Sequence, residues 1–390
     1  MEVKVSGSSV KATIDDDIGW VKDRTINIEY GIDVDEVPDH IFNYMFGLLL
    51  SEQISWSDGM IVFEELTEKE LRSIRAHVHI NSYSDPYGRA SEGVPRILTE
   101  KVANPDMNIG ETDLVLSCNG MGKDGIASML LANEINGSVQ GFTVGNQYRN
   151  EKLYSERKEA MKGLCNTFSL PQQMYIETDF MKNVRYKIIP WWLFGLPLAY
   201  SLGSIDIIAA TGLCYAKKHV TQSKLLRPNG SINSLCNISQ TIPLNISSVM
   251  LPLSTYGCQK LLVERYPEAL KYQRSCMHGL PWCLNCEDCY KTSLYLECNG
   301  LNPNEIGLLK SSNYSKKLRN KPCNDITKEL GYNINRKLKN EDYDPKFEMM
   351  CLDWIPLTWR SEKTRKILEQ HFESYRGSYG PYGDWVSKYV

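Results

Sequence analysis

The sequence predicts an α/β protein built on a parallel sheet, with a four-cysteine zinc knuckle, a small α+β module before the sheet and a mostly helical tail after it. Three observations support this prediction. Apolar strands alternate with amphipathic helices from residue 109, four cysteines cluster at 276–289, and the composition changes on either side of this region. We therefore divide the chain into an N-terminal module (1–108), a central domain (109–300) and a C-terminal extension (301–390).

The composition is that of a soluble protein with more than one folded unit. A chain of 390 residues exceeds what one compact core usually holds. Its 44 basic and 47 acidic residues give a formal charge of -3, which argues against a broad nucleic-acid-binding surface. No signal-peptide pattern is present, and the longest apolar block, 188–210, is interrupted by prolines and glycines and contains Asp206. We expect a cytoplasmic protein without a membrane span.

The N-terminal module is predicted to be β-rich with one strong helix. Strand character is found at Thr25–Tyr30, Met60–Phe63 and Ala76–Ile80, whereas VPDHIFNYMFGLLLS has apolar residues at helical spacing. His77 and His79 would then point to the same face of the third strand, a geometry that could hold a metal. A pair of polar residues on an exposed face is the simpler interpretation, and we assign these histidines no role.

The central domain is predicted to alternate strands and helices. Strands are expected at TDLVLSC, GSVQGFTV, QMYIET and SIDIIAATG, and helices at Asp124–Ile135, Glu151–Asn166 and Trp192–Leu202. Such alternation predicts a parallel sheet with helices on both faces, and ligands in such sheets bind at the carboxyl ends of the strands. The loops of interest therefore follow Cys118, Val144, Thr178 and Thr211.

The first of these loops, NGMGKDG (119–125), is a candidate phosphate-binding loop. Glycines let a ligand approach the main chain, and the N-terminus of the next helix supplies N–H groups and the positive end of a dipole. The spacing fits neither the P-loop pattern G-x-x-x-x-G-K-S/T nor the dinucleotide pattern G-x-G-x-x-G. Taken alone, such glycines are more often only a tight turn between a strand and a helix.

The cysteine cluster is a stronger signal. A C-x6-C-x2-C-x2-C pattern is formed by Cys276, Cys283, Cys286 and Cys289. Four thiolates suit a closed tetrahedral zinc site, and we predict structural Zn²⁺ there. A redox C-x-x-C motif and an iron–sulfur cluster are the alternatives that this spacing leaves open.

The loop and the cysteines together resemble the PP-loop ATP pyrophosphatases, and among these the QueC (7-cyano-7-deazaguanine synthase) family. The family's loop, S-G-G-x-D-S, aligns with residues 120–125, and its late cluster, S-C-Y…C-G-x-C-x-x-C, aligns with Ser275-Cys276 and CLNCEDC. The resemblance covers about residues 110–300 and implies a HUP-like (adenine nucleotide alpha hydrolase-like) fold. Both loop serines are glycines here, and Trp191 stands where the family has an arginine.

The resemblance implies an ATP-dependent C–N ligase. Such an enzyme adenylates a carboxylate of the 7-deazaguanine type, releases pyrophosphate and lets an amine attack to form an amide or nitrile. ATP, Mg²⁺ and Zn²⁺ are the implied cofactors. Asp124, which would position Mg²⁺, and Lys123, a cation beside pyrophosphate, are the implied catalytic residues. ATP contacts are implied at Gly120, Met121, Gly122, Lys123, Asp124, Gly125, Phe142, Thr143, Gly145, Gln147 and Arg149.

The flanking segments lie outside this resemblance, but a QueC-like domain with an extra N-terminal module resembles the arrangement in QueC-like proteins from anti-phage systems such as type IV CBASS and Qat. This resemblance implies a role in antiviral defence, with a partner protein as the amine acceptor. Two alternatives stay open. A degenerate PP-loop protein would bind a nucleotide or deazapurine without cleaving ATP, as the missing serines suggest, and a PP-loop tRNA-modifying enzyme is disfavoured by the nearly neutral charge. No membrane partner is expected, and the oligomeric state, a homodimer included, is undetermined.

Overall fold

The fold is a mixed β-sheet with helices on both faces, joined to a smaller two-stranded sheet. This computed structural model describes residues 1–14, 18, 21–57, 59–84, 95–104, 112–145, 151–184, 190–210, 241–247, 255–276, 281–284 and 286–308. The predicted helical extension after residue 308 and the loop after Thr211 therefore lie outside the described residues.

The strands and helices are numbered in chain order. The strands are β1 (Glu2–Ser6), β2 (Ser9–Thr13), β3 (Thr25–Tyr30), β4 (Met60–Leu66), β5 (Arg96–Val102), β6 (Thr112–Cys118), β7 (Val139–Gly145), β8 (Met174–Thr178), β9 (Ser204–Ile208) and β10 (Asn245–Ser247). The helices are α1 (Asp39–Leu49), α2 (Ser51–Ile54), α3 (Glu68–Ser84), α4 (Lys123–Asn136), α5 (Glu151–Thr167), α6 (Phe180–Asn183), α7 (Gly195–Leu202), α8 (Thr255–Arg265) and α9 (Glu287–Cys298). Short 3-10 helices lie at Trp191–Phe194, Pro267–Tyr272 and Pro303–Ile306.

Eight strands form the large sheet in the order β1-β2-β3-β8-β7-β6-β9-β10. The five strands from β8 to β10 pair in parallel, which confirms the predicted α/β class with a mostly parallel central sheet. The strands β1, β2 and β3 pair antiparallel and extend the sheet from β8. The predicted N-terminal module (1–108) thus contributes three strands to the sheet of the predicted central domain.

The N-terminal helix α1 is buried, and it links the two sheets. It packs against β4 of the two-stranded sheet and also against α7 of the central domain. One hydrophobic cluster contains Phe42 and Phe63 from the N-terminal part together with Leu116 and Phe194 from the central part. Because these side chains share one core, the N-terminal segment supports the large sheet through packing as well as through β3.

The predicted strand Ala76–Ile80 is wrong, because these residues lie within α3. A capping box starts this helix: the Glu70 N–H donates to Thr67 Oγ1 at 3.2 Å, and the Thr67 N–H donates to Glu70 Oε2 at 2.8 Å. Residues two apart on a helix point to different sides, so His77 is buried and His79 is exposed. The two histidines therefore do not share a face.

Other predicted elements are confirmed. The strand at Thr25–Tyr30 is β3, the helices predicted at Asp124–Ile135 and Glu151–Asn166 are α4 and α5, and the apolar segment Trp192–Leu202 divides into a 3-10 turn and α7. The strands expected at TDLVLSC, GSVQGFTV, QMYIET and SIDIIAATG are β6 to β9. Among the described residues, no helix has both the length and the apolar character that a bilayer crossing requires.

Candidate functional site

The glycine loop, residues 119–122, connects the central strand β6 to α4. Strand β6 lies between β7 and β9. The next strand along the chain, β7, pairs with one edge of β6, and the later strand β9 pairs with its other edge. In open parallel sheets a crevice forms at the carboxyl ends of the strands at such a point, and ligands bind there. The predicted loop residues Gly120–Gly125 therefore lie where this architecture accommodates a ligand.

Met121, and not a glycine, has the unusual backbone conformation in this loop. Its φ of 62° lies in the left-handed region, and its side chain is fully buried. The Met121 N–H donates to Asn119 Oδ1 at 2.8 Å, while the Asn119 side-chain nitrogen lies 3.6 Å from the Met129 sulfur. A left-handed non-glycine residue costs about 1–3 kcal/mol, so the conformation depends on such support. Sequence reasoning missed Asn119, although asparagine before a turn is a known signal.

The two glycines of the loop and Gly125, in the first turn of α4, serve different purposes. A Cβ on Gly120 or Gly122 would meet no atom within 4 Å, so open space lies beside both. A Cβ on Gly125 would instead lie 2.7 Å from Asn119 Oδ1 and 3.2 Å from the Gly120 nitrogen. Gly120 and Gly122 therefore leave room for a ligand to approach the main chain, whereas Gly125 lets the first turn of α4 pack against the loop.

The two predicted catalytic residues lie in the first turn of α4. The helix begins at Lys123, and its N-cap residue, Gly122, provides no side-chain cap. Lys123 Nζ lies 3.1 Å from Asp124 Oδ2, and these side chains are 15% and 37% exposed. The positive end of the helix dipole lies beside both groups. A cation and a carboxylate therefore lie together in the first turn of α4, directly after the glycine loop.

The end of β7 that is predicted to contact ATP, at Phe142 and Thr143, supports the glycine loop. Phe142 is fully buried, and its carbonyl accepts from the Asn119 N–H at 2.8 Å. The Thr143 hydroxyl donates to the Asn119 carbonyl, and Gln173 Nε2 donates to Thr143 Oγ1 at 2.9 Å. Any ligand contact at Phe142 and Thr143 would therefore involve main-chain atoms.

A charged aromatic cluster, which sequence reasoning missed, lies at the carboxyl ends of β7 and β8. Glu177 Oε1 accepts from the Tyr154 hydroxyl at 3.0 Å and lies 3.0 Å from Lys158 Nζ. The Lys158 ammonium is 4.4 Å from the Tyr154 ring centroid and 4.7 Å from that of Tyr175. Burial is the main reason that the pKa of Tyr175 rises to about 12. The Tyr154 ring covers Gly145 so closely that a Cβ there would overlap it.

The predicted contacts Gln147 and Arg149 lie outside the described residues, so their positions relative to this cluster and to the loop stay predictions.

The four predicted metal ligands, Cys276, Cys283, Cys286 and Cys289, lie together, with all four sulfurs within 4.8 Å of one another. The Cys286 and Cys289 sulfurs are 3.4 Å apart, and the Cys276 and Cys286 sulfurs are 3.7 Å apart. The Cys283 and Cys289 sulfurs are 3.9 Å apart. A tetrahedral site with metal–sulfur bonds of about 2.3 Å needs neighbouring sulfurs about 3.8 Å apart. The cysteine cluster could therefore hold a metal ion with little rearrangement of the chain.

The surroundings of the cysteine cluster suit thiolates that are neutralised by a cation. The Cys283 N–H points at the Cys276 sulfur and the Cys289 N–H at the Cys286 sulfur, each at 3.4 Å. Burial is the largest cause that raises the pKa of Cys286, to about 11, and it also raises the pKa of Cys289. A divalent cation reverses this effect because it stabilises the deprotonated sulfurs directly.

A separate open groove of about 480 Å³ lies between α3 and β5, on the N-terminal segment. Arg75, His79 and Leu98 are among its lining residues. None of the site residues predicted from the sequence lines this groove, so it plays no part in the site described above.

Comparisons with known proteins do not assign the chain to a family. No family model matches it, and no curated protein matches it at a significant level.

Proposed function

We propose that this protein is an ATP-dependent ligase of the QueC type, which activates a carboxylate as an adenylate and transfers the acyl group to an amine. The observation that carries the proposal is the loop at the carboxyl end of β6, where open space beside Gly120 and Gly122 is followed directly by the charged first turn of α4. Main-chain N–H groups and the helix dipole favour phosphate at such a position. The cysteine cluster that follows the sheet supports the same resemblance.

The chemistry needs a carboxylate oxygen converted into a good leaving group, and ATP supplies that group when bound. The Lys123 ammonium would offset negative charge on the departing pyrophosphate, and the Asp124 carboxylate would hold a Mg²⁺ ion that neutralises phosphate charge. The two side chains contact each other at 3.1 Å. A bound phosphate and a metal ion would therefore take the place of this contact between Lys123 and Asp124.

The cysteine cluster is proposed to hold Zn²⁺ in a structural role. Three of the sulfur separations are 3.4–3.9 Å and all are within 4.8 Å, which agrees with tetrahedral coordination by four thiolates. Four protein ligands fill the coordination shell of zinc and leave no position for a substrate, which argues for a structural site and against a catalytic one. Metal analysis distinguishes this proposal from an iron–sulfur cluster, which would give iron and visible colour.

The acid is proposed to be of the 7-deazaguanine type, and the amine acceptor to be a partner protein. Lys158 offers a cation to a carboxylate, while Glu177 and the Tyr154 ring offer an acceptor and a flat surface to a nitrogen heterocycle. The protein acceptor is supported only by the presence of extra segments on both sides of the QueC-like domain, which could provide a docking surface. Native mass spectrometry with ATP and candidate deazapurine acids tests both, because an adenylate or a mass added to a partner chain would be visible.

The experiment that tests the proposed activity is acid-dependent release of pyrophosphate from ATP. Asp124→Asn removes the proposed Mg²⁺ ligand, and Asp113→Asn, at the exposed start of β6, is a matched control. We expect turnover in the wild type and in Asp113→Asn, and a loss of at least about 100-fold in Asp124→Asn. Normal turnover by Asp124→Asn would show that the site is misplaced.

Binding without cleavage is the second candidate function, and the packing of Gly125 favours it. Asn119 occupies the space that a serine side chain at position 125 would need, so a hydroxyl cannot reach a phosphate from there. This function would be supported if calorimetry detects tight binding of ATP or a deazapurine and no pyrophosphate is released from ATP with any acid tested.

A further inference from the structure

A short segment, Tyr272–Cys276, joins the cysteine cluster to the glycine loop. The main-chain N–H of Arg274 donates to the Met121 carbonyl at 2.7 Å. Two residues later, Cys276 places its sulfur in the cysteine cluster. The two candidate sites are therefore separated by one hydrogen bond and two residues of main chain.

This joining segment is held firmly on its other side by α5. Arg157 Nη2 donates to the Cys276 carbonyl at 3.2 Å. The Tyr272 hydroxyl shares a hydrogen bond of 2.7 Å with Thr167 Oγ1, and its ring packs where a Cβ on Gly163 would lie. Both ends of the segment are thus anchored, and Cys276 follows Arg274 by only two residues of main chain.

The glycine loop depends on this contact more than an ordinary turn would. Met121 is buried in a left-handed conformation, its N–H is bonded to Asn119 and its carbonyl accepts from Arg274. A buried carbonyl that loses its donor keeps the cost of having left water. The N–H of Arg274 therefore stabilises the conformation observed for Met121, together with the contact to Asn119.

We propose that the Arg274 main-chain amide is the positioning group that couples metal occupancy of the cysteine cluster to the shape of the glycine loop, so that the metal and a phosphate ligand bind cooperatively. The bound metal fixes Cys276, Cys276 fixes Arg274, and Arg274 holds Met121. Coupling of this kind is reciprocal: if the metal tightens phosphate binding, phosphate slows metal loss by the same thermodynamic factor. The phosphate half rests on the proposed function, whereas the link from metal to loop does not.

Two substitutions at one position separate the amide from the side chain. Arg274→Pro removes the N–H, and Gln273, with φ of -61° and ψ of 130°, already has the conformation that precedes a proline. Arg274→Ala removes the guanidinium but keeps the N–H, and it serves as the matched control.

The first measurement is hydrogen exchange of the loop amides, residues 119–122, in fully zinc-loaded protein. We expect exchange about tenfold faster in Arg274→Pro than in Arg274→Ala, which should match the wild type, with α3 unchanged in all three. Chelation of the zinc should accelerate loop exchange in the wild type and in Arg274→Ala, but not further in Arg274→Pro. Equal loop exchange in both loaded variants, or loop exchange in the wild type that does not respond to metal loss, would overturn the proposal.

The second measurement is the rate of zinc release to a chelator with and without pyrophosphate. We expect pyrophosphate to slow release about fivefold or more in the wild type and in Arg274→Ala and to have no such effect in Arg274→Pro. Any direct affinity of pyrophosphate for zinc is the same for the three proteins, so the difference between them reports the coupling. Equal slowing in all three contradicts cooperative binding. If calorimetry finds no pyrophosphate binding at all, the phosphate site and the cooperative binding both fail, and loop exchange alone decides the link from metal to loop.

Discussion

Gly125→Ser is the substitution that most sharply tests the packing of the glycine loop. The added Cβ would lie 2.7 Å from Asn119 Oδ1, 3.2 Å from the Asn119 Cα and 3.2 Å from the Gly120 nitrogen. Two of these three atoms belong to the main chain and cannot turn away. Overpacking of this kind costs about 1–3 kcal/mol, which exceeds the gain of about 0.5 kcal/mol from replacing glycine in a helix. We expect the free energy of unfolding to fall by about 0.5–2.5 kcal/mol.

Urea denaturation monitored by circular dichroism measures this change, with Gly120→Ser as the control. A Cβ on Gly120 meets nothing within 4 Å, so this variant should stay within about 0.5 kcal/mol of the wild type. Adding Asn119→Gly to Gly125→Ser removes the closest contact, and a double-mutant cycle should give a coupling energy of at least about 0.5 kcal/mol. Equal stability of the two serine variants, or a cycle without coupling, would refute the steric account of this glycine.

The remaining predictions concern the metal and the buried histidine. The wild type should contain about one zinc per chain, and Cys286→Ser should lose this metal and have a lower thermal unfolding midpoint. Cys165→Ser, which changes a buried cysteine outside the cluster, should keep the metal. Elemental analysis that finds iron, or that finds unchanged zinc in Cys286→Ser, contradicts this prediction. Burial lowers the pKa of His77, although its ring also forms a hydrogen bond with the Ser73 carbonyl. The neutral ring therefore contributes stability above the unfolded-state pKa of about 6.5, and this contribution is lost as the pH falls towards the lowered folded-state pKa. His77→Asn should therefore lose less stability than the wild type between pH 7.5 and 5.5 in urea titrations, and parallel losses would contradict the assignment.

The sequence predicted the central elements well because their pattern is local. Strand β6 and helix α5 each show the periodicity of their own element, and so does α1. The prediction of a strand at Ala76–Ile80 was wrong because the alternation in AHVHI is typical of a strand. The contacts that stabilise the helix instead, the Thr67–Glu70 capping box and the packing on α1, involve residues outside that segment. Local alternation was overridden there by tertiary structure.

The contacts that shape the site were beyond sequence reasoning because they join distant residues. Gln173 donates a hydrogen bond to Thr143, which donates to the Asn119 carbonyl. The Arg274 N–H donates to the Met121 carbonyl, although most of the central domain's sequence separates these two residues. The pairing of β3 with β8 is likewise set by long-range packing, which a strand pattern does not reveal. The cysteines, in contrast, could be predicted as a group, because metal ligands that lie close in sequence show directly as spacing.

We propose that the glycine loop supports activation of a carboxylate by ATP. Exchange of labelled pyrophosphate into ATP is the decisive assay, because this exchange requires reversible formation of the adenylate and needs no amine. With a deazapurine carboxylic acid and Mg²⁺, we predict acid-dependent exchange by the wild type and by Asp113→Asn, and at least about 100-fold less by Asp124→Asn. If the wild type shows no exchange with any acid tested, or if Asp124→Asn exchanges as fast as the wild type, the glycine loop does not carry out this activation.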